Sequence, residues 1–285
     1  MINKLCIIGV GLIGGSLARA LRAAGQVREI VGHGRRPNAL QRAVDLGVID
    51  HAEVTLAAAV QGADVVVLAV PVGAMADILA ELGRLSFDGV ITDAGSTKGS
   101  VVAAARSALG VRFPHFIPGH PIAGTEQSGV EASQANLFRG RRVILTPAPE
   151  TNAQALGRVR ALWEAAGAEV SEMSAEEHDR ILAASSHLPH LLAYLLMDLL
   201  VRRDDHRMVF ATSAGGLRDV TRIAASDPVM WRDICLANRE ALLAVLAQYR
   251  DEFGALMAAI ERGDAKWLED TFTRAKRARE ALNGK

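Results

Sequence analysis

Residues 5–16 read Leu5-Cys6-Ile7-Ile8-Gly9-Val10-Gly11-Leu12-Ile13-Gly14-Gly15-Ser16. A short apolar run enters spaced glycines, and Leu17, Ala18, Ala20 and Leu21 then recur at helical spacing. The pattern is strand, tight turn, helix. In this G-x-G-x-x-G order Gly9 supplies the backbone angles of the turn, Gly11 lets main chain approach a pyrophosphate, and Gly14 packs helix closely on strand. The helix start, at Leu12 and Ile13, faces phosphates with free N–H groups and a partial positive charge. Gly9, Gly11, Leu12, Ile13 and Gly14 are therefore expected to bind a dinucleotide.

Working outward, residues 29–32 read as a second strand that runs into Gly34-Arg35-Arg36. An NAD-type site carries an Asp or Glu near this point to bind the ribose hydroxyls. Gly34 stands there instead, and Arg35 and Arg36 suit the 2′-phosphate of NADP, so NADP is expected as cofactor, with NAD as the alternative. Residues 63–71 form a continuous apolar run stopped by proline, the kind of strand buried in a parallel sheet. Its carboxyl end, Val70 and Pro71, lies where such sheets bind ligands. A helical pattern over residues 72–85 and a strand over 89–93 follow. Strands alternating with helices predict an α/β fold, a Rossmann-like doubly wound sheet.

Two polar stretches fall at strand ends. The first, Thr92-Asp93-Ala94-Gly95-Ser96-Thr97-Lys98-Gly99, leaves a strand and enters a helix. The second, Pro118-Gly119-His120-Pro121-Ile122-Ala123-Gly124-Thr125-Glu126-Gln127-Ser128-Gly129, follows a short strand over residues 115–117. Prolines flanking Gly119-His120 restrict the backbone and hold one imidazole in place. His120 is a candidate general base, with the Ser96 hydroxyl as its orienting partner. Further strands are expected over residues 141–147 and 169–173, with a helix over 152–166 between them. Arg139, Arg141 and Arg142 read as a solvated turn.

From Ser174 onward helical patterns replace strands, so residues 1–173 are expected to form the dinucleotide-binding domain and 174–285 an all-α domain for substrate binding and dimerisation. Ser174 with Glu177 makes a capping box. The helix that follows runs to about Leu200 and should kink near Ser185 and Ser186, because Pro189 lacks a backbone donor. His187 and His190 lie three apart, but two helical histidines without a third ligand do not make a metal site, and no metal is expected. Ser226-Asp227-Pro228 opens a helix expected to run unbroken to Gly263. Its length and broad apolar face suit burial against a second subunit. A last helix covers residues 264–282.

Composition narrows the partners. The 285 residues carry 32 basic and 32 acidic side chains, with no basic block, which argues against nucleic acid or an anionic membrane. Half are hydrophobic, enough for a sizeable core. No apolar run reaches membrane-spanning length, no secretory signal precedes Leu5, and Cys6 and Cys235 stand far apart. A cytoplasmic protein is expected.

Together the motifs give the chain a resemblance to the prephenate and arogenate (cyclohexadienyl) dehydrogenases over nearly its whole length. The pieces are residues 9–16, Asp93-Ala94-Gly95-Ser96-Thr97-Lys98, Gly119-His120-Pro121-Ile122-Ala123-Gly124, Ser186-His187-Leu188-Pro189-His190, and Asp219-Val220-Thr221-Arg222-Ile223-Ala224 with Ser226-Asp227-Pro228 and Trp231. The resemblance implies oxidative decarboxylation of a cyclohexadienol by hydride transfer to a nicotinamide, as in tyrosine biosynthesis, and a dimer through the C-terminal helices. It implies that His120 takes the ring hydroxyl proton, that Ser96 holds that geometry, and that Arg222 binds a substrate carboxylate. Ser186 and His190 would line the substrate pocket, Glu126 and Asp179 would stand at its edge, and Gln127 would lie in the loop that influences side-chain choice. The chain ends at Lys285, which leads to the expectation that any tyrosine feedback acts at the active site. Competing readings are a β-hydroxyacid dehydrogenase or imine reductase, which would use a lysine or lack the Gly-His-Pro loop, and a non-catalytic dinucleotide sensor, which would not need Ser96, His120 and Arg222. A serine hydrolase lacks its Gly-x-Ser-x-Gly elbow here.

Overall fold

The computed structural model describes residues 1–125 and 127–283, in two compact units, Met1–Arg239 and Glu240–Lys285. The first opens with alternating strands and helices: β1 (Ile2–Ile8), α1 (Leu12–Ala23), β2 (Val27–His33), α2 (Pro37–Asp45), β3 (His51–Ala52), α3 (Leu56–Val60), β4 (Val65–Leu68), α4 (Val72–Arg84), β5 (Val90–Asp93), α5 (Gly99–Leu109) and β6 (Phe116–Ile117). The six strands form a parallel sheet in the order β3-β2-β1-β4-β5-β6. This is the strand order of a dinucleotide-binding sheet, with its switch point between β1 and β4.

Period-two alternation in the strands builds the two faces. Leu5 and Ile7 of β1 point into a cluster with Leu17 and Leu21 of α1. Cys6 and Ile8 point the other way, toward Met75, Leu79 and Leu82 of α4 and Val101 and Ala105 of α5. Both faces are thereby sealed. A second, three-stranded sheet follows from β7 (Gly119–Pro121), β8 (Arg142–Leu145) and β9 (Glu169–Glu172), in that order, with α6 (Ala153–Ala165) crossing between β8 and β9. α6 places Val159, Leu162 and Trp163 in the core on the α1 side. His120 pairs in register with Ile144, so the small sheet carries His120 just past the end of β6.

The remaining elements are helical. α7 (Ala175–Leu182) starts on the Ser174 hydroxyl, which accepts from Glu177 N at 3.0 Å. A π-helical turn over Ala183–His187 joins it to α8 (Leu188–Val201), which is where the proline-driven irregularity was expected. The π turn keeps the helix continuous, so Ala175–Val201 is long and apolar enough to cross a membrane by length and composition, with a mean hydropathy of 1.2. That corrects the expectation that nothing in the chain reaches such length, which came from counting unbroken apolar runs. The same helix carries His178, Asp179, His187 and His190.

α9 (His206–Ala211), α10 (Gly215–Thr221), a 3₁₀ turn over Arg222–Ala225 and α11 (Pro228–Ala237) complete the first unit. α12 (Arg239–Arg262) begins at its edge and continues through the second, which also holds α13 (Ala265–Asn283). The expected unbroken helix from Pro228 to Gly263 is thus two. Asn238, at φ −107° and ψ 35°, leaves the helical region between them, because its buried side chain turns inward to hydrogen-bond Asp179 and His187.

Candidate active site

The glycine turn separates two demands. Gly9 has φ +95°, and a Cβ there would sit 2.5 Å from the Ala69 carbonyl oxygen, while one on Gly14 would sit 2.3 Å from the Gly9 carbonyl oxygen. Internal packing requires both glycines. A Cβ on Gly11 meets no protein atom within 4 Å, so packing does not require that glycine. The open space lies at the start of α1, where no side chain caps the first-turn N–H groups of Leu12 and Ile13. A dinucleotide pyrophosphate fits that cradle. Val70 flanks the turn, its Cγ1 2.8 Å from a Cβ built on Gly9, and Pro71 caps α4 beside it. Gly34 follows the end of β2, with Arg35 and Arg36 exposed; neither forms an ion pair among the described residues.

The β5–α5 loop is anchored from beneath. Asp93 and Lys98 are fully buried, and the Lys98 ammonium pairs with the Asp93 carboxylate. Lys98 Nζ also donates to the Gly119 carbonyl at 2.6 Å, and Gly119 N donates to Asp93 Oδ1 at 3.1 Å. The ion pair therefore grips both polar groups of the residue just before His120. Burial depresses the Lys98 pKa, against the pull of Asp93 and Asp179.

His120 is held from its other side by α7. Its Nδ1 lies 2.8 Å from His178 Nε2, and His178 Nδ1 lies 2.8 Å from Asp179 Oδ1. Asp179 also accepts from Lys98 N and Gly99 N, each at 2.8 Å. Burial raises its pKa, but the hydrogen bonds from His178, Lys98 and Gly99 outweigh that and hold it below the ordinary carboxylate value. An ionised carboxylate only accepts, which sets the direction of the chain. His178 donates from Nδ1 to Asp179, its Nε2 accepts from His120 Nδ1–H, and His120 Nε2 is left with a lone pair. Loss of solvation first, then His178, Lys98 and His187, push the His120 pKa well below 6.5 and keep it unprotonated at neutral pH.

A second group of side chains lies alongside. His187 is buried and contacts the Ser96 backbone. Burial lowers its pKa to about 4. His190 Nδ1 donates to the Ser186 carbonyl at 2.8 Å, and its ring stacks on Trp231 at 3.8 Å. Burial, with Arg222 nearby, also depresses the His190 pKa. Arg222 opens the 3₁₀ turn after α10. No described residue hydrogen-bonds the Ser96 hydroxyl.

The structure thus links Ser96, His120, Asp179, Ser186, His190 and Arg222 through direct neighbours. Within the protein the hydrogen-bond partner of His120 Nδ1 is His178 Nε2, a neighbour the sequence reading does not name. Gln127 is exposed, its N–H on the Thr125 hydroxyl at 3.3 Å, and touches none of this group; Glu126 lies outside the described residues. Sequence reasoning misses His178, Lys98, Asp93 and Asn238 as site residues. His178-Asp179 shows in the sequence only as a polar pair, whereas Lys98 and Asn238 gain their meaning from partners tens of residues away. Among the described residues no three His, Cys, Asp or Glu side chains converge in metal-binding geometry.

Comparison with known proteins gives the family. Residues 17–172 match the model of the prephenate dehydrogenase nucleotide-binding domain, and residues 174–274 match the prephenate dehydrogenase dimerization domain. A cyclohexadienyl dehydrogenase of Zymomonas mobilis is 39% identical over 98% of this chain and 96% of its own. The crystal structure of prephenate dehydrogenase from Aquifex aeolicus, in complex with hydroxyphenyl propionate and NAD+, superposes with a TM-score of 0.93 at 38% identity, covering 99% of both chains. Synechocystis arogenate dehydrogenase gives 0.81 at 27% identity, covering 98% of this chain and 99% of its own. The chain belongs to the prephenate dehydrogenase family of nicotinamide-dinucleotide oxidoreductases.

Proposed function

We propose that this chain catalyses the oxidative decarboxylation of prephenate or L-arogenate, giving 4-hydroxyphenylpyruvate or L-tyrosine, in the cytoplasm. The observation that carries this reading is the Asp179–His178–His120 chain, which ends in an unprotonated Nε2 in the same compact unit as a turn built for a dinucleotide. His120 Nε2 accepts the ring hydroxyl proton, and the electron density left on oxygen drives hydride from the same carbon. Loss of carbon dioxide completes the aromatic ring. A nicotinamide dinucleotide held at the Gly9–Gly14 turn would supply the hydride acceptor. The Ser96 hydroxyl, without a described protein partner, hydrogen-bonds the reacting hydroxyl and holds it toward His120.

Arg222 binds a substrate carboxylate, with His190 Nε2 and Ser186 lining the same pocket. NADP is the preferred cofactor, because Gly34 removes the ribose-binding acid and Arg35 and Arg36 follow it exposed. Residues 174–285 act as the dimerisation domain. Leu195, Leu199 and Val201 of α8, and Tyr249, Phe253, Met257 and Ile260 of α12, are exposed in the single chain, and a second copy covers them.

The test is an initial-rate grid of prephenate or arogenate against NAD or NADP, following reduced nicotinamide by absorbance. Turnover in an NADP cell supports the reading in full. Turnover with NAD alone overturns the cofactor assignment, and no turnover in any cell overturns the reaction.

A further inference from the structure

Asn238 is nine-tenths buried and occupies the one non-helical position between α11 and α12. Its side-chain amide nitrogen lies 2.8 Å from the Asp179 backbone carbonyl and 3.1 Å from His187 Nδ1. The carbonyl settles the orientation of the amide, since only the NH₂ end satisfies it. The same NH₂ then faces His187, so His187 Nδ1 accepts and its proton sits on Nε2. That leaves the Nε2–H for the other polar group acting on the ring, the backbone of Ser96.

We propose that Asn238 is a positioning residue that fixes His187 as the Nε2–H tautomer and through it pins the Ser96 turn. Asp179 thereby serves two arms at once. Its carboxylate orients His178 and His120, and its main-chain carbonyl orients Asn238 and, through it, His187. The charged or titratable groups near His187 are Asp179, His178, His190 and His120, and Trp231 packs edge-on at 6.0 Å between ring centres. The kinetic consequence rests on the proposed function, whereas the tautomer does not.

The experiment is histidine-selective ¹⁵N NMR of the intact protein, with His187→Phe assigning the His187 signals, combined with kcat and dinucleotide-affinity measurements. The wild type should show His187 as Nε2–H alone. Asn238→Ala should give a mixture of tautomers, and Asn238→Asp, whose carboxylate accepts, should move the proton to Nδ1. Both variants should lose about tenfold to a hundredfold in kcat while the dinucleotide Kd stays the same. An Nδ1–H tautomer in the wild type overturns the proposal even if no variant folds, and so does an unchanged tautomer in Asn238→Ala. Absence of wild-type turnover would count against the reaction, and the NMR result would still decide the role of Asn238.

Discussion

His178 Nε2 stands 2.8 Å from His120 Nδ1, and because His178 donates its Nδ1–H to the Asp179 carboxylate on its far side, the donor in that bond is His120. The contact makes His178 an orienting group for the base. His178→Phe should lower kcat by about 10²- to 10⁴-fold, as expected when a catalytic imidazole loses the partner that selects its tautomer, with dinucleotide Kd unchanged. Steady-state kinetics beside a fluorescence titration checks this, and wild-type kcat in that variant would remove the relay from the mechanism.

The His120 pKa is pushed well below 6.5 by burial and by His178, Lys98 and His187. A base with a lowered pKa stays active as pH falls through the ordinary histidine range. The acid limb of the kcat/KM profile should therefore fall below pH 6.5, and a limb above that value would show that the free base faces a different environment.

His187 titrates near 4 in the folded protein against 6.5 unexposed to the fold, so the unfolded chain binds its proton more tightly. Its contribution to stability is complete above pH 6.5 and is lost as pH falls toward 4. The difference corresponds to about 3 kcal/mol. Urea unfolding at stepwise pH, comparing wild type with His187→Phe, should show a smaller loss in the variant over that window.

Lys98 and Asp93 form a buried pair that also holds the Gly119 peptide. Lys98→Met leaves a buried carboxylate without its cation and should cost about 3–5 kcal/mol. Denaturant unfolding measures the cost; a loss under about 1 kcal/mol would mean the pair behaves like a solvated one.

Arg222→Ala should raise the substrate KM about tenfold to a hundredfold, the worth of a charge-assisted hydrogen bond, with a smaller change in kcat. An unchanged KM would contradict its carboxylate role.

Much of this architecture is legible in the sequence because it is local. The Gly9-Val10-Gly11 turn, the apolar run ending at Pro71 and the Ser174 cap each depend on residues within a few positions. His120 is legible for the same reason, since two prolines bracket it. What stays hidden is long-range. The His120–His178 contact spans 58 residues and Lys98–Asp179 spans 81, and no periodicity encodes either. Asn238 shows the same limit in the fold. Its neighbours read as one helix, and the break follows from hydrogen bonds to Asp179 and His187, 59 and 51 residues away.

The most direct measurement compares wild type and His120→Asn for prephenate turnover at saturating dinucleotide, with dinucleotide Kd determined for both. The expected result is turnover in the wild type, a loss of about 10²- to 10⁴-fold in the variant, and equal Kd values. Turnover at the wild-type rate in His120→Asn would contradict the assignment of His120 as the base on which the relay converges.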